Sequence, residues 1–228
     1  MLSLSPPDMQ CEIHDQRLVL RRRGQIVAEQ AFTDDASLEA AINSLVGQHA
    51  SAIPWLGKLS FWLDSSRVSY FTVPWQTGVS GPEEFRSFAA TFATTQRFGN
   101  SDAAFRTAFI SVEYASTALA AAIDEQLWQT LLLVSRKWRL RTGGIYVELH
   151  SQLRPWQRRL PDNVLFCLRG AQSSIFASRQ DGQWHQVWCL NNESGMDDNL
   201  HLALVARLMG IGSHIPRYFL NNKGYPKG

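Results

Sequence analysis

The stretch VLFCLRGAQSSIFASRQDGQW, Val164 to Trp184, decides how the rest of the chain is read. An apolar run leads to Gly170, an alternating run follows, and Asp181-Gly182 stands where a tight turn would close. A glycine-opened hairpin can hold phosphate with its backbone N–H groups, provided acidic residues nearby hold the metal. Here Leu168 stands two places before Gly170, and Arg169 follows it. The stretch is therefore a phosphate clamp without its acid, or only a hairpin.

Around this hairpin, strand-like and helix-like runs alternate. Downstream, WHQVWCLN reads as a strand and DDNLHLALVARLMGIG as a helix capped by Asp197 or Asp198, with Leu200, Leu204 and Leu208 in register. Upstream, IYVELH (145–150) reads as a strand after the break at Thr142-Gly143-Gly144. Asp124 caps a helix reaching Trp138, with Leu127, Leu131 and Val134 on one side. STALAAAI fits a strand or a small-residue linker, and FRTAFISVEY (105–114) a strand. Pro82 opens a helix whose Phe85, Phe88 and Phe92 form an aromatic stripe, read as core. LSFWLD (59–64) and VSYFTVPW (68–75) are strands, and DDASLEAAINSLVGQH is a helix capped by Asp35 or Ser37. Arg17–Arg22 and Gln25–Phe32 make a hairpin around Arg23-Gly24. Pro6-Pro7 marks a loose beginning and NNKGYPKG a polar end. The pattern is mixed α/β, with strand pairs before helices and no sequence repeat.

Composition sets broad limits. Of 228 residues, 45% are hydrophobic and 18% charged, the balance of a folded domain with a real core. A net charge of +2 does not call for a nucleic acid or a membrane surface. Cys11, Cys167 and Cys189 are odd in number and lack CxxC spacing, which fits free thiols in a reducing compartment. No run approaches the ~20 apolar residues of a membrane span, and MLSLSPPDMQ lacks a signal peptide's regions. The expectation is a cytosolic protein.

Motifs of chemistry are sparse. The sequence has no P-loop, GxSxG elbow or HExxH pair, so neither a catalytic residue nor a metal ligand is assigned. His185 and Cys189 would lie about 13 Å apart on a strand, too far to share an ion. Glu193, Asp197 and Asp198 suit a helix start better than a cation. Basic–aromatic clusters stand out: Arg21-Arg22-Arg23, RKWRLR (136–141) and RPWQRR (154–159). One reading of these clusters is solvated helix ends and loop arginines; the other is a protein interface, where Arg and Trp are enriched.

Three segments in order resemble a family: LVLRRRGQIVAEQAF, KLSFWLDSSRVSYFTVPW, and STALAAAIDEQLWQTLLLVSRKWRLRTGGIYVELHS leading to the hairpin. This order is similar to the actin-like cytoplasmic domains of the L component of type II secretion and the M component of type IV pilus assembly. The resemblance implies an actin-like (ribonuclease H-like) fold, mixed sheets flanked by helices, with a degenerate and shortened second lobe. It implies a tail over 1–10, a first lobe over 11–160, a second over 161–220 and a tail over 221–228. Gly24, Leu168 and Gly170 would mark two nucleotide hairpins that have lost their acids, leaving no ATP hydrolysis and no cofactor. The implied role is a cytoplasmic, non-catalytic adaptor held at the inner membrane through partners: an assembly ATPase, an inner-membrane assembly protein, and a second copy of itself. Arg136, Trp138, Arg139, Arg141, Trp156, Arg158 and Arg159 would carry the contacts. The alternatives are an ATP-binding switch of the same fold and, last, a basic-patch nucleic-acid binder, for which the net charge is low.

Overall fold

Apolar residues at every second position build the first strand. The computed structural model describes residues 8–50, 57–97, 104–110, 112–157, 159–170, 172–192 and 197–220. β1 (Asp8–Ile13) points Met9, Cys11 and Ile13 inward, although its first residues fall in the expected tail. β2 (Arg17–Arg22) and β3 (Gln25–Ala31) form the expected hairpin; Arg23 and Gly24 take φ of 52° and 79°, a type I′ turn that matches strand twist. α1 (Asp35–His49) is capped by Asp34, one residue before Asp35 and three before Ser37, the expected caps. Asp34 accepts a hydrogen bond from the Ser37 N–H at 2.7 Å, and Ser37 Oγ accepts one from the Asp34 N–H at 3.1 Å. β4 (Lys58–Leu63) follows, burying Leu59, Phe61 and Leu63.

The next segment is β5 (Ser69–Val73), α2 (Pro82–Phe92) with a π-helical turn at Ala93–Arg97, β6 (Phe105–Phe109) and β7 (Ala118–Asp124). Phe85 is buried among Phe71, Val73 and Ala89, with Phe88 and Phe92 packed against them, so the aromatic stripe is core. ALAAAID is a strand despite alanine's poor propensity, because Ala118, Ala120 and Ala122 fit beneath those rings. α3 (Glu125–Lys137) is capped by Asp124, which accepts from the N–H groups of Gln126 and Leu127 at 2.7 and 3.2 Å. β8 (Arg141–Val147) continues through Gly143-Gly144, the expected break, with a bulge at Gly143. A Cβ on Gly143 would collide with Ser60 and Lys58 of β4, so glycine admits close strand pairing there. Glu148, read as strand, opens α4 (Glu148–Leu153).

β9 (Val164–Arg169), β10 (Ser173–Gln180) and β11 (Gln183–Asn191) are the opening stretch and its continuation. α5 (Asp198–Leu208) is capped by Asp197, which accepts from Asn199 and Leu200 N–H at 2.9 and 3.0 Å. β12 (Arg217–Leu220) was not anticipated from sequence. The buried face of α5 is His201, Leu202, Val205 and Ala206, while the in-register Leu200, Leu204 and Leu208 are 61%, 45% and 62% exposed.

The strands form three sheets, ordered β3-β2-β1-β4-β8, β5-β7-β6 and β11-β10-β9-β12. In the first, β1–β2 and β2–β3 are antiparallel, β1–β4 and β4–β8 parallel. In the last, β9–β10 and β10–β11 are antiparallel and β9–β12 parallel. Both sheets therefore repeat one plan: two hairpins, a helix, then a strand returning parallel to the first. The chain divides into two compact units, Met1–Arg67 with Ile123–Glu148, and Val68–Ala122 with Leu149–Gly228. The expected boundary near residue 160 treated each lobe as contiguous; here each unit joins two segments. Parallel β4 and β8 need a crossover between them, and that crossover carries β5 to β7.

Candidate functional site

The shared plan identifies which turns correspond. Gly170 N–H donates to Ser173 O at 2.9 Å to close the β9–β10 turn, and His14 N–H donates to Arg17 O at 2.9 Å to close β1–β2. The register then sets Ile13 with Leu18 and Arg169 with Ser174. His14 is thus the topological counterpart of Gly170, Glu12 of Leu168 and Cys11 of Cys167. Gly24 belongs elsewhere. Its turn matches Asp181-Gly182, where φ is 50° and 78°, so Gly24 and Gly170 are not a pair. The sequence reading sought the first acid beside Gly24; the corresponding position holds Glu12.

The β9–β10 turn is closed by its own chain. Beyond the N–H donated to Ser173, Gly170 O accepts from Asn192 Nδ2 at 2.8 Å and Gln172 O from Asn192 N–H at 2.8 Å. Arg169 pairs with Asp198 at the start of α5. Leu168 is 2% exposed, inside the core. The Asp198 carboxylate is taken up by Arg169, and the Gly170 N–H is already used. Ala171 lies outside the described residues.

The end of the first sheet is different. Glu12 at the end of β1, Asp64 after β4 and Glu148 after β8 stand near the carboxyl ends of parallel strands, the edge where open α/β sheets bind ligands. His14 Nδ1 lies 3.1 Å from Asp64 Oδ2 and Nε2 3.8 Å from Glu12, whose Oε1 accepts from Arg21 Nε at 2.6 Å. Hydrogen bonds to Asp64 and Glu12 push His14 up to about 9 against the cost of burial. Burial works to raise Glu12 and Asp64, but hydrogen bonds outweigh it and hold both carboxyls low: His14 and Arg21 to Glu12, His14 and Ser66 to Asp64. Glu148, pushed up by burial and then by Asp64, reaches about 7. At neutral pH the cluster holds protonated His14 between two carboxylates, beside Glu148, whose carboxyl is held well above the ordinary range. Among the described residues no three His, Cys, Asp or Glu groups are arranged to hold a metal ion. No sequence motif marked this cluster; only strand pairing joins residues 12, 64 and 148.

The arginine–tryptophan segments fall in different units. Arg136, Arg139 and Arg141 are exposed around the α3–β8 connection. Trp138 between them packs inward on α1: Nε1 donates to Asn43 Oδ1 at 3.2 Å, and the ring occupies the space a Cβ on Gly47 would need. In the second unit Trp156 is half-buried, its ring 5.7 Å from Phe166 and 5.3 Å from Tyr218. Arg159 is exposed and Arg158 lies outside the described residues. Both tryptophans therefore have packing roles within the chain, and the arginines form the accessible part.

No family model matches the sequence, and no curated protein matches it. Solved structures do. A Bacteroides thetaiotaomicron protein with an actin-like ATPase fold and unknown function is similar over 98% of this chain and 87% of its own, at 12% identity and TM-score 0.57. The fold is actin-like. The cytoplasmic domain of EpsL, an inner membrane component of the type II secretion system of Vibrio cholerae, is similar over 94% of this chain and 82% of its own, at 9% identity and TM-score 0.53. A PilM–PilN type IV pilus biogenesis complex is matched over 90% of this chain and 66% of that one, at 15% identity and TM-score 0.50. Among the described residues, no helix of this actin-like chain is long and apolar enough to cross a membrane.

Proposed function

We propose that this chain is a non-catalytic adaptor of a bacterial type II secretion or type IV pilus apparatus, linking an assembly ATPase to inner-membrane components from the cytoplasmic side. The observation that carries this reading is the closed β9–β10 turn. Among the described residues, Leu168 is in the core and the Gly170 N–H is committed to Ser173, so neither is free to serve a metal-bound phosphate. The likeness to EpsL and PilM supports the choice of machine. The contact surface in this reading is the exposed Arg136, Arg139 and Arg141. Changing all three to Glu is expected to abolish capture of the assembly ATPase while leaving Tm in place. Undiminished capture would refute the surface.

Glu12 favours a second reading, an ATP-binding switch, because it puts a carboxylate where the first hairpin could use one. Thermal melting with ATP and Mg²⁺ separates the two. A nucleotide at a hundredfold its Kd stabilises by about 2.7 kcal/mol. A rise of that size, lost in Glu12→Ala, would establish the switch; no rise with either protein supports the adaptor.

A further inference from the structure

A buried cation is ordinarily paired with a carboxylate, because taking its charge out of water is costly. Arg179, near the end of β10, is 7% exposed and forms no ion pair among the described residues. A bulge between Ser178 and Arg179 sets it opposite Trp184 of β11, and its guanidinium lies 5.2 Å from the centre of that ring. Nε donates to Pro161 O at 3.1 Å and Nη2 to Gly182 O. Both acceptors are neutral carbonyls, and Nη1 makes no hydrogen bond among the described residues. Glu113 and Asp162 are exposed and act on the guanidinium only through space. Arg179, Gly182 and Trp184 line a cleft of about 180 Å³ together with Glu113, Ser116 and Thr117 of the β6–β7 connection. That connection is fixed by its own turn, the Ser116 N–H donating to Glu113 O at 3.3 Å. Trp184 is 2% exposed, and its Nε1–H is buried without an acceptor among the described residues. Buried indoles usually find one.

The geometry points to this cleft as a binding site for a single carboxylate group, which supplies the counter-ion that Arg179 lacks within the described residues. Size, sign and neighbours agree on that class. The cleft is smaller than the about 300–1,000 Å³ of sites that take whole cofactors or nucleotides, so it admits one functional group. An anion is required by Arg179. Glu113 at the same cleft favours a singly charged one, since a phosphate group, at about −1.5 to −2, meets nearly twice the repulsion. The carboxylate accepts from Arg179 Nη1, and the Ser116 and Thr117 hydroxyls offer further donors. The Trp184 ring holds the guanidinium in place from its other side. A free small acid and an Asp or Glu side chain of another polypeptide present the same chemistry to Arg179. The site does not depend on the secretion or pilus reading, and its test uses neither nucleotide nor assembly ATPase.

The test follows the Trp184 indole N–H signal in a proton–nitrogen NMR spectrum of the whole chain carrying isotope-labelled tryptophan. Its loss in Trp184→Phe identifies it among the eight tryptophans. Sodium acetate is titrated over about 1–100 mM, the range in which one charge-assisted contact binds, against sodium chloride at matched ionic strength. The expected result is a saturable shift with acetate and none with chloride, lost in Arg179→Gln. Glu113→Gln, which removes the neighbouring exposed charge, should tighten acetate about threefold or more. The capped peptide acetyl-Gly-Glu-Gly-amide separates the two sources. Tighter binding than acetate assigns the site to an acidic side chain of another polypeptide, and weaker binding to a free acid. No saturable shift with either probe overturns the inference, as does a response to acetate no different from that to chloride, or one that Arg179→Gln preserves. Phosphate binding more tightly than acetate would overturn the ligand class. Should Arg179→Gln fail to fold, Glu113→Gln decides, and acetate binding that is unchanged or weaker in that variant overturns the site.

Discussion

The two large sheets share one plan and differ at one place. In β3-β2-β1-β4-β8 the first turn is ringed by Glu12, His14, Arg21, Asp64 and Glu148; in β11-β10-β9-β12 the same turn holds Leu168, Gly170 and an Arg169–Asp198 pair. Cys11 and Cys167 occupy corresponding positions, both buried, both pushed up to about 12 by desolvation and hence unreactive as thiolates. One residue further on, the sheets part: Glu12 reaches a half-exposed charged rim, and Leu168 joins the core. A common backbone thus supports either a titratable end or a closed apolar one. The choice lies in two or three side chains.

The sharpest way to break this comparison is to exchange those side chains. Leu168→Glu would bury a carboxylate with no cation prepared for it, and should cost about 4 kcal/mol or more. The reciprocal Glu12→Leu loses the bond from Arg21 in a partly hydrated place and should cost only about 1–2 kcal/mol. Urea titration of both variants reads the asymmetry. Equal losses would mean that the two turns share one environment after all.

A smaller effect would sharpen the correspondence between turns. Gly24→Ala and Gly182→Ala each force a Cβ into the left-handed region, at φ 79° and 78°, and each should cost about 1–2 kcal/mol. The sites have room, with nothing within 4 Å at Gly24 and Asp162 at 3.4 Å from Gly182, so the loss should be of backbone origin and alike at both. Unequal values would deny that they are counterparts.

The smallest effect is on pH. His14 is raised from 6.5 to about 9 and Glu148 from 4.5 to about 7. A raised pKa gives stability that is complete below the ordinary value and lost as pH passes the folded one. Stability of the first unit should therefore decline from about pH 4.5 to 9, in two limbs. Glu12 and Asp64, held low, give the opposite slope on the acid side. In Tm each limb should amount to about 2–4 °C. His14→Ala should flatten the alkaline limb and Glu148→Gln the limb between about pH 4.5 and 7. A flat profile for the intact chain would show that the rim is fully solvated.

Local signals in the sequence were read well where one element decided the outcome. Asp124 and Asp197 cap their helices because a short carboxylate before an apolar run has few other uses. The Arg23-Gly24 and Asp181-Gly182 turns followed from their dipeptides. The α/β class came from the order of such elements, and the actin-like fold from the resemblance of that order to a known family. What sequence reading missed depended on a partner it could not see. β1 hid behind Pro6-Pro7, and Gly143-Gly144 passed for a break because a glycine bulge against β4 looks like any Gly-Gly. Leu200, Leu204 and Leu208 are in register in the sequence, but periodicity marks a face without saying what it faces.

The candidate site shows the same division. Leu168 beside Gly170 was visible in the sequence, and with it the missing acid of the second turn. The pairing of Gly24 with Gly170 was a misreading that only register could expose. The sequence by itself determined which segments become strands and helices, because turn chemistry, caps and alternation act within a few residues. Tertiary structure decided which turns correspond, which leucines stay outside, and that residues 12, 14, 64 and 148 share one rim. Those depend on pairing between segments up to 136 residues apart, counted from Glu12 to Glu148 (148 − 12), and no local pattern encodes them.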